Sequence, residues 1–215
     1  MAVYDLEEQE QISQLKAWWQ DNGRFVVAVV LAAAIGSVGW QGYQWYRDKQ
    51  ANEASALFHL VEKAAEGGDA ARAREAAGQL IDRFGSSGYA QMAALISANI
   101  QFDQGDRQNA RAHLEWLASR GDDPALRDLA RLRLAAVLLH EGAHAQALAQ
   151  LEKAPMPALK PRFEDLRGDI LAEEGKSEQA RGAWQAALDA LGSSPERAAD
   201  PLHQVIRSKL ESLES

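Results

Sequence analysis

Cysteine is absent from all 215 residues. That excludes disulfide staples, thiolate zinc sites and thiol catalysis. It leaves the redox compartment open, because a cysteine-free chain survives in either surroundings. A basic surplus is missing as well: 31 Asp and Glu face 23 Lys and Arg, and no basic stripe interrupts the acidic balance. Nucleic-acid binding therefore lacks its main electrostatic term, and an acidic domain is poorly suited to lying flat on anionic lipid. Strand signals are scarce after residue 47, where alternating Val/Ile/Thr runs are lacking and hairpin dipeptides are few. Without strands there is no place for a strand–glycine loop–helix phosphate cradle.

What the chain does have is one long uncharged run, Phe25 to Tyr46, closed by Arg24 and Arg47. As a helix it would rise roughly 33 Å, enough to cross a bilayer core. Its first part, FVVAVVLAAAIGSVGW, is nearly pure hydrocarbon, and its last, QGYQWY, has the Trp/Tyr composition of a headgroup interface. Ala32-Ala33-Ala34 would serve as a signal-cleavage site, but a long segment of net charge −3 precedes the run and the apolar stretch continues past the cut. The expectation is an uncleaved signal-anchor at 25–46, an acidic tail at 1–24 and one domain at 47–215, long enough for a real core. Lys16 and Arg24 on one side balance Arg47 and Lys49 on the other, so the positive-inside rule leaves orientation open. Within the span, Ala28, Ala32 and Gly36 recur every four residues and Gly39 follows at three, a small-residue stripe that a second transmembrane helix can approach. The competing reading is that Ala and Gly are simply common in such helices.

The remainder reads as all-α. Ala, Leu, Glu, Gln and Arg dominate at three-to-four apolar spacing. Asp123-Pro124 and Asp200-Pro201 each read as an N-cap followed by proline at the first helical position, and Pro161 opens another helix. Gly85-Ser86-Ser87-Gly88, Gly121-Asp122 and Gly192-Ser193-Ser194 read as loops. Laid against itself, the chain repeats: Gly68, Gly105, Gly142 and Gly175 stand 37, 37 and 33 residues apart. Alanine follows each by five residues, at Ala73, Ala110, Ala147 and Ala180. Nine after the last three comes a bulky residue, Leu114, Leu151 or Trp184; seven before them comes a small one, Ala98, Ala135 or Gly168. Glycine would end the first helix of each pair in a left-handed conformation, and the small residues would let the two helices press together. The unit resembles the tetratricopeptide repeat, with stacked helix–turn–helix pairs and a capping helix from Pro201 to Leu213. The first unit reads as degenerate, since Val61 stands where a small residue is expected.

His140-Glu141-Gly142-Ala143-His144 matches H-E-x-x-H literally, which on one continuous helix binds zinc and supplies a general base. A membrane metalloprotease is therefore the rival reading. Against it, Gly142 is the repeat's turn glycine, and the longer x-x-G-x-x-H continuation is missing, leaving as a third ligand only a glutamate on a neighbouring unit, such as Glu164 or Glu173. His59, His113 and His203 are scattered without a triad partner, Arg127 and Arg131 with Asp123 and Asp128 read as a solvated face, and Trp116 and Trp184 fall on the apolar register. No catalytic residue, metal, cofactor or small-molecule substrate is expected.

Two segments carry a family likeness. One is Tyr4 with the acidic tail, Trp18-Trp19, Asn22-Gly23 and Gly39-Trp40; the other is Asp165-Leu166-Arg167-Gly168-Asp169, Gly175-Lys176 and Ala180-Arg181-Gly182-Ala183-Trp184. With them the chain resembles the ancillary subunit family of the bacterial SecYEG translocon. The resemblance implies a single-pass inner-membrane protein with a cytoplasmic N-terminus and a periplasmic tetratricopeptide-like domain. It also implies association with the Sec translocon and with a membrane-anchored periplasmic chaperone of the prolyl-isomerase type, help in handing polypeptides to periplasmic chaperones, and a link to the Rcs envelope-stress response. A generic envelope scaffold, serving cell-wall or division machinery with the same fold, is the third reading.

Overall fold

The computed structural model describes residues 2–192 and 200–213, and every regular element among them is helical. Ser193 and Ser194 of the expected loop lie outside the described residues. The chain divides into two units, Met1–Asn52 and Glu53–Ser215. Helix α1 (Ala2–Glu66) begins well before residue 25 and continues past residue 46. The sequence explains its length: the first proline is Pro124, and the first paired glycines are Gly67-Gly68, where the helix stops.

In the first unit, the Trp19 ring lies against Gly23, where a Cβ would sit 3.2 Å from the indole nitrogen. Toward the other end of the apolar run, the Arg47 guanidinium lies 6.0 Å from the centre of the Tyr43 ring and Lys49 Nζ 5.7 Å from that of Trp45. The end of an apolar run that pairs aromatic rings with basic side chains has the chemistry of a membrane–water boundary.

In the second unit, the end of α1 pairs with α2 (Ala70–Phe84), α3 (Gly88–Asp103) with α4 (Arg107–Arg120), α5 (Pro124–His140) with α6 (His144–Gln150), and α7 (Lys160–Glu173) with α8 (Ser177–Leu191). A single 3-10 turn, Pro157–Leu159, leads into α7, and α9 (Pro201–Ser212) closes the stack against α8. Asp123 and Asp200 cap α5 and α9 through their carboxylates, and the proline that follows each has no amide to leave unpaired.

One turn geometry recurs at all four hairpins. Gly68, Gly105, Gly142 and Gly175 have φ between +67° and +82°. Each glycine N–H donates to the carbonyl three residues back at 2.9–3.1 Å, and the next N–H donates to the carbonyl five back at 2.8–2.9 Å. This is the Schellman arrangement, and it satisfies carbonyls that a helix end otherwise leaves open. At Gly68 and Gly105 the next residue, Asp69 or Asp106, also caps the returning helix through its carboxylate.

The core follows from those turns. Ala73, Ala110, Ala147 and Ala180 are fully buried. The first hairpin has the same turn as the others, and it redistributes volume: Val61 and Ala77, both fully buried in one cluster, occupy the positions filled elsewhere by Ala98 with Leu114 and Ala135 with Leu151. The bulky partner has moved from the second helix to the first, so the pair still fills its layer. The fourth hairpin goes to the other limit. A Cβ on Gly168 would clash with the Trp184 ring. Gly168→Ala should therefore lower the unfolding free energy in urea by about 1–3 kcal/mol. Adding Trp184→Leu should cost less than the two single changes together, because the pair then matches Ala135 and Leu151; strict additivity would disprove the contact.

Candidate functional site

The H-E-G-A-H segment straddles a turn. α5 ends at His140, Gly142 has φ +71°, and α6 begins at His144, so the two histidines lie on different helices and do not share the face that H-E-x-x-H chemistry needs. Each chemistry-bearing side chain is engaged elsewhere. His140 lies 5.4 Å, ring to ring, from Phe102, and His144 Nε2 is 3.2 Å from a Glu173 oxygen. Glu141 accepts a hydrogen bond from Arg111 at 3.2 Å, and Arg111 also donates to Glu115 and Gln146. The hydrogen bond to Glu115, with that to Glu141, raises the Arg111 pKa further. Among the described residues, no three His, Asp or Glu side chains gather in metal-binding geometry.

Arg131 and Asp128 do not form a solvated face; both are buried. α6 is only seven residues long, and the chain leaves it toward Pro155 and Pro157. The carbonyls at its end need donors: Arg131 donates to Lys153 O and Arg167 to Leu151 O, while Asp128 accepts from Met156 N–H at 2.7 Å. The Arg131 guanidinium also lies over the Phe163 ring at 5.3 Å. These charges pin a loop.

Two further groups went unmarked in the sequence. Lys209 on α9 donates to Asp165 at 2.7 Å and to Asp169 at 2.8 Å on α7, and lies 5.9 Å from the centre of the Trp184 ring. Burial works against its charge, but the two carboxylates outweigh that and hold the ammonium above the ordinary lysine range. Burial also raises the Asp165 carboxyl, more than the Lys209 hydrogen bond lowers it. Asp165 and Asp169, four apart on one helix, were the only signal that a distant cation must answer them.

The other group is Arg133 on α5. With Ala136 and Val137, Ala98, Asn99 and Phe102 of α3, and Leu114 of α4, it lines a half-open cleft of about 200 Å³. Burial pushes its pKa down. Its hydrogen bond is a long one, Nη1 to Leu95 O at 3.4 Å, and among the described residues no carboxylate stands within ion-pair distance.

In the first unit, Ala28, Ala32, Gly36 and Gly39 are all exposed, and a Cβ on Gly36 or Gly39 would meet nothing within 4 Å. The described chain does not cover this stripe. The helix that carries it is, among the described residues, long and apolar enough to cross a membrane. Of the repeat positions, Gly105, Gly142 and Gly175 lie at the turns, while Ala110, Ala147, Gly168, Ala180 and Trp184 lie between paired helices.

Stacked helical hairpins with identical turns, preceded by an apolar helix, define a repeat scaffold. The sequence model of the tetratricopeptide repeat-like domain matches residues 16–215. Proteins named ancillary SecYEG translocon subunit are similar over most of their length: 30% identical over 187 residues in Neisseria gonorrhoeae, covering 86% of this chain and 90% of the relative. The Haemophilus influenzae relative is 27% identical over 185 residues, with coverage of 86% and 90%. That of Escherichia coli K12 is 25% identical over 193 residues, with coverage of 87% and 90%. The chain belongs to the ancillary SecYEG translocon subunit family.

The repeat core also carries a pH dependence. His113 is buried, and burial first, then the nearby Arg74 guanidinium, push its pKa below the ordinary value of 6.5. The folded state therefore takes up this proton less readily than the unfolded chain does. Its contribution is present in full above about pH 6.5 and is lost as the pH falls from there through the lower folded value. Urea midpoints should drop over this range, and His113→Phe should flatten that slope; an identical slope in the variant would exclude His113 as its source.

Proposed function

We propose that this chain is a non-enzymatic scaffold of the Sec translocon, anchored in the bacterial inner membrane by residues 25–46. In this reading residues 1–24 are cytoplasmic and residues 47–215 form a periplasmic repeat domain. What carries the reading is the similarity to ancillary SecYEG translocon subunits over most of the chain, together with a repeat-domain match at 16–215 that takes in the apolar run. The broken H-E-G-A-H geometry supports a role without catalysis. Tethering would raise the scaffold's concentration beside its partners, so that weak contacts suffice, and stacked hairpins offer a surface for a partner segment. The partners proposed are the translocon and a membrane-anchored periplasmic chaperone of the prolyl-isomerase type. The scaffold would pass secreted polypeptides to periplasmic chaperones and connect to the Rcs envelope-stress response.

The stripe Ala28, Ala32, Gly36 and Gly39 is the proposed transmembrane contact, since close helix approach in lipid needs small side chains. Ala32→Leu combined with Gly36→Leu keeps the segment apolar and removes the groove. Recovery of translocon subunits in detergent pull-downs should fall several-fold, while membrane insertion is unchanged. Undiminished recovery would sink the stripe's role, and absence of translocon subunits from the wild-type pull-down would sink the association itself.

A further inference from the structure

We propose that the cleft between α3, α4 and α5 receives a carboxylate, carried by a polypeptide segment with an apolar side chain beside it, and that Arg133 binds that carboxylate. The cleft walls are Ala98, Phe102, Leu114, Ala136 and Val137, with Asn99 already donating to Asp103 at 3.1 Å. A guanidinium has five N–H donors in a planar fork, and here one of them makes a single 3.4 Å bond. Other arginines in the domain are answered by carboxylates: Arg111 by Glu115 and Glu141, Arg131 by Asp128, Arg167 by Glu164. In a chain of net charge −8, Arg133 is half-buried among apolar walls, with no counter-charge within ion-pair distance among the described residues. Such a group costs folding free energy unless a partner completes it, and departures of this kind concentrate at functional positions.

The chemistry narrows the partner. Charge complementarity calls for an anion, and the fork matches a carboxylate in two parallel hydrogen bonds. A phosphate fits less well, because a more highly charged and more strongly hydrated group would have to lose its water against Phe102, Leu114 and Val137. At about 200 Å³ the cleft is smaller than the roughly 300–1,000 Å³ of small-molecule sites. It has room for an apolar side chain next to the carboxylate. The carboxylate comes either from a chain terminus or from an Asp or Glu side chain. The proposal does not depend on the translocon association, because it concerns binding by the purified protein.

Calorimetry on the full chain in detergent, with three peptides, tests it: Ala-Ala-Leu-Leu as the free acid, the same peptide as the amide, and Ala-Leu-Asp-Leu amide. A carboxylate-bearing peptide should bind at least tenfold tighter than the uncharged amide, and which of the two does so identifies the source. Arg133→Met should abolish that preference and unfold at an equal or higher temperature, since it removes an unanswered charge. Ala136→Phe, which fills the cleft and leaves Arg133 in place, should weaken binding to the same extent. Equal affinity for all three peptides, no binding by any of them, or binding unchanged in a folded Arg133→Met variant would overturn the proposal.

Discussion

The repeat domain depends on two hydrogen bonds repeated four times: a glycine N–H to the carbonyl three back, and the following N–H to the carbonyl five back. Both need a residue at positive φ between them, which costs a residue with a Cβ roughly 1–2 kcal/mol and glycine almost nothing. The turn reverses the chain within three residues, so the helices on either side must touch at fixed distances from it. Five residues on, the contact leaves room only for Ala73, Ala110, Ala147 and Ala180, each without exposed surface. The spacing of small residues is thus a consequence of the turn.

Hairpins alone would be separate pieces. They are joined by side chains that belong to two layers at once: Trp116 packs on the first and the middle core clusters, and Leu148 on the middle and the last. Buried amides do the same with hydrogen bonds. Gln101 on α3 donates to Ala70 O at the start of α2, and the Gln91 side chain accepts from Asp123 N–H at 3.1 Å where α5 begins. A buried amide left unpaired costs about 1–3 kcal/mol, so each of these fixes the position of the next hairpin as well as stabilising it. At the far end Lys209 holds α9 over Trp184, covering an edge that would otherwise face water.

What could be read from sequence was what is local. The turn glycines, the alanines five residues on, the proline-opened helices and the uncharged run each declare themselves within a few residues. The volume exchange at Val61 and Ala77 did not, because packing conserves the sum across two helices and a repeat search scores one position at a time. Arg131 and Asp128 read as an ordinary surface pair, since nothing in their own helix shows that α6 stops after seven residues and leaves carbonyls to satisfy. Lys209 answers carboxylates 40 and 44 residues away, and Arg133 is conspicuous only once the surrounding apolar side chains are in place. Among the candidate site residues, those fixed by backbone geometry were legible and those fixed by charge balance were not.

The H-E-G-A-H segment shows how the turn decides between two readings of the same residues. Zinc chemistry needs His140 and His144 one turn apart on a single helix. The repeat needs Gly142 at positive φ, which ends that helix at the first histidine. Both cannot hold, and the turn prevails because it carries two backbone hydrogen bonds and the register of every buried contact in α6. The side chains then serve the stack: His140 covers Phe102 of the preceding hairpin, Glu141 reaches Arg111 on α4, and His144 meets Glu173 of the following one. A motif written for catalysis becomes three contacts between neighbouring repeats, and the same glycine accounts for both facts.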